Sequence, residues 1–156
     1  MSRSFEQWVA TSQRALLSYA HLLMGDREEA RDVVQEVYSR LASKFDRVDG
    51  IDAYARRSIT NEVASRRRRP RLATVPLDRE HATPDGAVAV PDKVLAWRLC
   101  AELPTTQRAA VVLRFFEDLS FAEIGDILQM PEATARSHVH RALTALRGRL
   151  DKEDIA

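Results

Sequence analysis

The 156-residue chain has a single cysteine, Cys100, and few residues that interrupt helices, with five glycines and six prolines. One cysteine excludes an internal disulfide and a cysteine-rich zinc site. Valine, isoleucine and threonine do not gather into alternating runs, which disfavours an all-β fold. The sequence shows no signal peptide and no apolar run long enough to span a membrane. We therefore expect a soluble, cytoplasmic, all-α protein.

The chain also lacks a net charge that would point to a partner, since 24 Lys and Arg residues oppose 23 Asp and Glu residues. The distribution of charge is more informative than its sum. Seven arginines fall within residues 51–71, and a second basic stretch covers residues 130–150. Two basic segments in an almost neutral chain indicate local contacts with a polyanion.

Helical periodicity occupies the first part of the chain. Apolar residues recur at helical spacing over residues 4–24, and the pattern resumes after Asp26. Asp26 and Glu29 are expected to form a capping box for the second helix. A short loop is predicted over residues 46–52, and a third helix from near Ala53 into the arginine run.

A central segment divides the chain. Residues 70–91 hold four prolines and no persistent periodicity, which is typical of a linker. We expect two small helical domains, residues 1–69 and residues 92–151, joined by this flexible linker, the second domain having four helices. In the second domain, Leu113 and Phe116 are predicted to lie on an apolar helix face.

The segment from Ser120 onward has the features of a helix-turn-helix. Ser120 and Glu123 are spaced as a capping box. Gly125 is small where a crossing helix would approach closely, and residues 129–132 form a short turn. Two short helices joined by a tight turn, the second amphipathic and basic on its outer face, are what a helix-turn-helix requires.

The last predicted helix has one apolar and one polar face. The apolar positions are Ala135, Val139, Ala142 and Leu146. The polar face carries Thr134, Ser137 and Arg141, flanked by His138 and His140, with Arg136 nearer the core edge. The two histidines point about 200° apart on a helix, so they cannot chelate one metal ion. A plain solvated face is the alternative, and the agreement of cap, small residue and turn disfavours it.

A polar face is also predicted on the second helix, where Asp32, Gln35 and Glu36 lie on one side. Two carboxylates could perform acid–base chemistry, but no nucleophile accompanies them. We favour a polar docking face, with simple solvated charge as the open alternative.

The third helix carries its arginines with only Glu62 as a counter-charge after Asp52. Such a helix suits a phosphate backbone, and Tyr54 could stack on an unpaired base. The alternatives are a solvated arginine face, a core position for Tyr54, or binding of the basic helix to a membrane.

These motifs together resemble a bacterial RNA polymerase sigma factor of the extracytoplasmic-function group, over about residues 5–69 and 93–150. The family's D-x-x-Q-E motif matches Asp32, Gln35 and Glu36. Its basic-helix motif matches Ala53, Arg57, Asn61, Arg68 and Arg69, with Tyr54 in place of tryptophan. Its second-domain motifs match Leu103, Pro104, Arg108, Leu119, Ser120, Glu123, Ile124, Thr134, Arg136, Ser137 and Arg141. Gln129 stands where the family's turn often has glycine, so a slightly strained turn is expected.

The resemblance implies a factor that is not an enzyme, uses no cofactor or metal, and directs core RNA polymerase to promoter DNA. It assigns polymerase binding to Asp32, Gln35 and Glu36. It assigns the −10 element to Asp49, Tyr54, Arg56, Arg57, Asn61, Arg66, Arg67, Arg68 and Arg69, with residues 46–52 forming a pocket for a flipped base. It assigns the −35 element to Glu132, Thr134, Arg136, Ser137, His138 and Arg141. Such factors are often held inactive by an anti-sigma protein, and neither a membrane nor a small-molecule substrate is expected as a partner.

Three other classes of protein are alternatives to this interpretation. A stand-alone helix-turn-helix repressor would bind its operator without polymerase and would need a dimer interface. A phosphoryl-transfer enzyme would need clustered carboxylates to hold metal ions. A structural interaction module would leave the arginine distribution unexplained. Binding to core polymerase and promoter-dependent transcription would discriminate between them.

Overall fold

The computed structural model describes residues 3–68 and 100–155, so the predicted linker and residues 92–99 lie outside the described chain. All regular structure within the described ranges is helical, which confirms the all-α prediction for them. The N-terminal unit, residues 3–68, contains α1 (Phe5–Met24), α2 (Arg27–Ala42), a short 3-10 helix (Phe45–Arg47) and α3 (Ile51–Arg68). The C-terminal unit, residues 100–155, contains α4 (Thr105–Phe115), α5 (Phe121–Leu128) and α6 (Glu132–Ile155).

Local sequence explains where the first two helices begin and end. Ser4 caps α1, and Gly25 ends it at a φ of 78°, a left-handed conformation that glycine adopts readily. Asp26 caps α2, because its Oδ1 accepts the backbone N–H groups of Glu28 and Glu29 at 2.8 and 3.1 Å. The predicted capping box is half formed: within the described residues, the Glu29 side chain does not complete it.

Trp8 is the centre of the N-terminal core. It is completely buried, and its ring meets that of Tyr38 edge-on at a centroid distance of 5.4 Å. The indole N–H donates to Asp52 Oδ1 at 2.9 Å, which joins α1 to the first turn of α3. Helix α3 therefore begins at Ile51, two residues before the predicted start. The loop predicted over residues 46–52 is wrong at both ends, since its first residues belong to the 3-10 helix and its last to α3.

The two units share one hydrophobic core. Leu113, Ile124 and Ala135 of the C-terminal unit join the cluster that contains Trp8 and Ile59. A smaller cluster belongs to the C-terminal unit alone and consists of Cys100, Leu103, Val111, Ala142 and Leu146.

The prediction that Phe116 lies on an apolar face is wrong. Its side chain is 53% exposed, and that of Phe115 is 57% exposed. Phe116 is the C-cap of α4 and keeps a helical backbone, with its N–H donated to the Val112 oxygen at 2.9 Å, so the end of the helix does not account for its exposure. Leu113, three residues earlier, is fully buried as expected.

Candidate nucleic-acid interface

Helices α5 and α6 form the predicted helix-turn-helix. The capping box at the start of α5 is complete: Ser120 Oγ accepts the Glu123 N–H at 3.1 Å, and Glu123 Oε1 accepts the Ser120 N–H at 3.0 Å. These bonds to Ser120 lower the pKa of the Glu123 carboxyl below its ordinary value. The carboxylate is therefore the form that stabilises the start of the helix.

The turn between the two helices is tight and strained. Gln129 ends α5 with φ 56° and ψ 53°, in the left-handed region that favours glycine, as expected from the sequence. A Cβ on Gly125 would lie 2.6 Å from the backbone oxygen of Met130. Glycine at residue 125 is therefore required for the approach of the turn to α5.

Helix α6 exposes the predicted reading face. Ala135, Val139 and Ala142 are buried, whereas Thr134, Ser137 and Arg141 are exposed. Glu132 and Arg136 are also exposed and form an ion pair at 3.3 Å. The Arg136 guanidinium lies 5.0 Å from the centroid of the Phe121 ring, which orients it over α5.

His138 differs from the other residues of this face, because it is only half-exposed. Its Nδ1 is buried, and no group within the described residues hydrogen-bonds to it. Burial, followed by the charge of Arg141, lowers the pKa of the imidazole. His138 is therefore mainly neutral near pH 7.

The residues predicted to bind polymerase lie together on α2. Asp32, Gln35 and Glu36 are all exposed. Glu36 accepts a bond from Arg40 at 3.1 Å, and the same Arg40 Nη2 reaches Glu62 on α3 at 3.3 Å. Sequence reasoning missed this bridge between α2 and α3. Only its Glu36–Arg40 half has a local signal, since those residues are four apart on a helix.

The segment before α3 exposes part of the predicted base pocket. Asp46, Asp49 and Gly50 are exposed, and Gly50 has a φ of 66°. Asn61 is exposed on α3. Asp52 uses one carboxylate oxygen for Trp8, so its role is at least partly structural.

The arginines at the end of α3 point to different partners. Arg66 pairs with Glu62 at 3.3 Å. Arg67 donates to the backbone oxygen of Leu23 at 2.8 Å and so ties α3 to the end of α1. Arg68 is exposed, and Arg69 lies outside the described residues. The sequence predicts one surface for the four arginines, and the structure divides the three that it describes.

Arg56 and Arg57 reach across to the C-terminal unit. Arg56 Nε pairs with Glu117, in the loop between α4 and α5. Arg57 donates to the backbone oxygens of Asp126 and Ile127 at 2.6 and 3.0 Å. No sequence signal predicted these contacts.

Tyr54 lies beside these arginines and is half-buried. The Arg57 guanidinium lies 5.9 Å from the centroid of the Tyr54 ring, and the Lys44 Nζ lies 5.5 Å from it. Lys44 also donates to the phenolic oxygen at 3.3 Å. The ring is therefore held by these neighbouring side chains, and part of its surface is accessible for stacking.

Metal ligation and membrane insertion are the other two kinds of site to consider in residues 3–68 and 100–155. Within these ranges, no three histidine, cysteine, aspartate or glutamate side chains come together as metal ligands. No helix there combines the length and the hydropathy needed to cross a membrane.

Family comparisons agree with this geometry over both units. The family model described as Sigma-70 region 2 matches residues 8–72, and that described as Sigma-70, region 4 matches residues 94–146. The second match contains α5, the turn and the part of α6 up to Leu146. The chain belongs to the sigma-70 family of RNA polymerase sigma factors.

Its similarity to individual members extends over nearly the full chain. It is 34% identical to the RNA polymerase sigma-E factor of Streptomyces avermitilis, over 97% of this chain and 87% of that protein. It is 29% identical to the ECF RNA polymerase sigma factor SigW of Bacillus subtilis, over 82% of this chain and 79% of that protein. The fold is similar to that of the sigma factor RpoE from Bartonella quintana, solved in complex with the anti-sigma factor NepR. The two structures superpose with a TM-score of 0.70 over 94% of this chain and 96% of the other. Their sequences are 21% identical, so the likeness is one of fold.

Proposed function

We propose that this chain binds core RNA polymerase and directs it to promoters, reading the −10 element with the N-terminal unit and the −35 element with the C-terminal unit. The observation that carries the proposal is the helix-turn-helix whose second helix exposes a polar, basic face. That helix belongs to a family-model match, and a second match covers the N-terminal unit.

The −35 element would be read as duplex DNA. The major groove admits one α-helix, and side chains on its outer face reach base edges and phosphates. Arg141 is exposed with Ser137 and Thr134 on that face of α6. Arg136, whose guanidinium lies over the Phe121 ring, would contact a phosphate or a base edge beside it.

The −10 element would be read as an opened strand. A base out of the stack loses stacking and pairing worth a few kcal/mol, so its pocket must supply hydrogen bonds and stacking in return. Asp49 offers acceptor oxygens, Asn61 offers both a donor and an acceptor, and Tyr54 offers a ring face. Arg68 would hold a phosphate of the same strand.

Polymerase docking is assigned to the exposed side of α2. Asp32 and Glu36 give this surface a negative charge, and Gln35 adds a neutral polar group between them. A basic, polar surface on the polymerase is its complement. The role is that of a non-enzymatic initiation factor acting in the cytoplasm, and an anti-sigma protein of the kind bound to the Bartonella neighbour is a further proposed partner.

The docking assignment is tested by Glu36→Lys, with Glu102→Lys as the matched control. Both glutamates are exposed and paired with an arginine, at 3.1 and 3.2 Å respectively. Reversal at Glu36 should weaken binding to core polymerase about tenfold or more, because like charges then face each other across the interface. The free energy of unfolding should change by no more than about 0.5 kcal/mol, as for most surface substitutions.

Binding is measured by fluorescence titration of core polymerase, and stability by chemical denaturation. An equal loss of affinity in both variants would remove Glu36 from the docking surface. Lost stability with normal affinity would show that Glu36 is structural.

A further inference from the structure

A cavity between α1 and α2 lies outside the surfaces assigned to polymerase and to promoter DNA. Its volume is about 370 Å³, which is at the small end of the range for small-molecule sites. Two rows of side chains at helical spacing form its polar walls: Arg14, Ser18 and His21 on α1, and Arg27 and Arg31 on α2. The cavity is therefore built by the two helices of the N-terminal unit that precede the basic helix α3.

The charge of this cavity is positive. Three of the side chains that line it are arginines, and none of the described residues that line it carries a carboxylate. Arg14 and Arg31 are exposed, and within the described residues neither forms an ion pair. Arg27 and Arg31 are four residues apart on one helix, where like charges repel each other. An anion bound between the guanidinium groups would remove this repulsion.

A buried polar group distinguishes the cavity from a row of solvated arginines. His21 lines it and is only 5% exposed. Ser18, which is exposed, adds a hydroxyl that can donate or accept a hydrogen bond. Leu17 and Ala30 contribute apolar surface beside these polar groups. A concave site with apolar walls and a few convergent polar groups is typical of small-molecule binding.

The chemistry of the walls indicates a phosphate ligand. The fork of a guanidinium matches two oxygens of a phosphate, and the charge on both partners strengthens these hydrogen bonds. Three guanidinium groups around one small cavity suit a ligand that carries two or more negative charges. The docking surface elsewhere on α2 has the opposite charge, because it contains Asp32 and Glu36. The cavity is therefore not an extension of that surface.

We propose that the cavity between α1 and α2 binds a small polyphosphate anion, held by Arg14, Arg27 and Arg31. The shared chemistry is a pair of linked phosphate groups, supplied either by inorganic pyrophosphate or by the phosphate end of a nucleotide. The site is independent of promoter reading, so it can be tested without polymerase and can fail without affecting the proposed sigma function.

The test titrates the full chain, labelled with ¹⁵N, with inorganic pyrophosphate and follows the backbone amides by NMR. The amides of Ser18 and Ala30 should shift and saturate, with a dissociation constant below about 1 mM. Arg14→Gln and Arg31→Gln should each weaken binding about fivefold or more, because each removes charge-assisted hydrogen bonds. Arg147→Gln is the matched control: Arg147 is equally exposed but lies on α6, so binding should change by less than about twofold.

A charge placed in the cavity gives a second measurement. Ser18→Glu adds a carboxylate to the wall at an exposed helical position, so the chain should keep its melting temperature within a few degrees and lose pyrophosphate binding. Binding that survives Ser18→Glu would overturn the proposal. So would an absence of saturable shifts at Ser18 and Ala30, or equal weakening by Arg31→Gln and Arg147→Gln.

Two further titrations identify the source of the phosphates. If ATP binds more tightly than pyrophosphate, the ligand is a nucleotide; if the two bind equally, the phosphate groups alone are recognised. Either result supports the site. A single-stranded DNA 20-mer is the third probe. If DNA shifts the Ser18 and Ala30 amides and pyrophosphate does not, the cavity is part of a DNA path and the small-molecule proposal is wrong.

Discussion

At the scale of single residues, the sequence predicts best the positions with a local backbone requirement. Ser120 and Glu123 form the capping box that their spacing indicates. Gln129 has the strained conformation expected of a non-glycine residue in this turn. The bond from Trp8 to Asp52 was not predictable, because its partners are 44 residues apart and neither has a local signal for the other.

Gln129→Gly should stabilise the chain by about 1 kcal/mol, because glycine removes the left-handed strain at a modest cost in unfolded-state entropy. Gln13→Gly is the control, since Gln13 is exposed within α1 and its replacement should destabilise by about 1 kcal/mol. Urea denaturation followed by circular dichroism measures both. Equal destabilisation by the two substitutions would show that Gln129 is not strained in solution.

At the scale of helices, periodicity and capping signals predicted every described α-helix but missed the 3-10 helix (Phe45–Arg47), and the other errors fall at helix ends. Helix α3 starts early because a buried tryptophan fixes its first turn. Phe116, the C-cap of α4, is exposed although its backbone is still helical. Periodicity reports which face of a helix is apolar, but it does not report where tertiary contacts extend or end the helix.

The close approach within the helix-turn-helix gives a prediction at this scale. Gly125→Ala should destabilise by about 1–3 kcal/mol, because the added methyl group meets the Met130 backbone, which cannot move without opening the turn. Gly148→Ala is the control: nothing lies within 4 Å of a Cβ there, and alanine in a helix should add up to about 1 kcal/mol. Thermal unfolding of the two variants checks this. Similar melting temperatures for both would exclude the close approach.

At the scale of the whole molecule, the residue types of the candidate surfaces were predictable and their partners were not. Thr134, Ser137 and Arg141 are exposed on α6, as the amphipathic pattern indicates. Arg56 and Arg57, in contrast, contact residues 61 to 70 positions away. A count of arginines shows that α3 is basic, but it cannot distinguish an arginine open to DNA from one that holds another part of the protein.

Promoter selection with reconstituted polymerase tests the central claim most directly. The unmodified chain should enrich two conserved elements at a fixed spacing. Arg141→Ala should relax one −35 position by about 1–3 kcal/mol if Arg141 reads a base, whereas Arg147→Ala, an exposed arginine further along α6, should leave every position unchanged. Exchange of residues 46–50 for those of another sigma factor should alter the −10 preference alone, with Asp52 kept for its bond to Trp8. Two results would contradict the assignment of −10 reading to the N-terminal unit and −35 reading to α6. Either the unmodified chain would enrich no pair of elements, or one of the two alterations would change the preference at both elements.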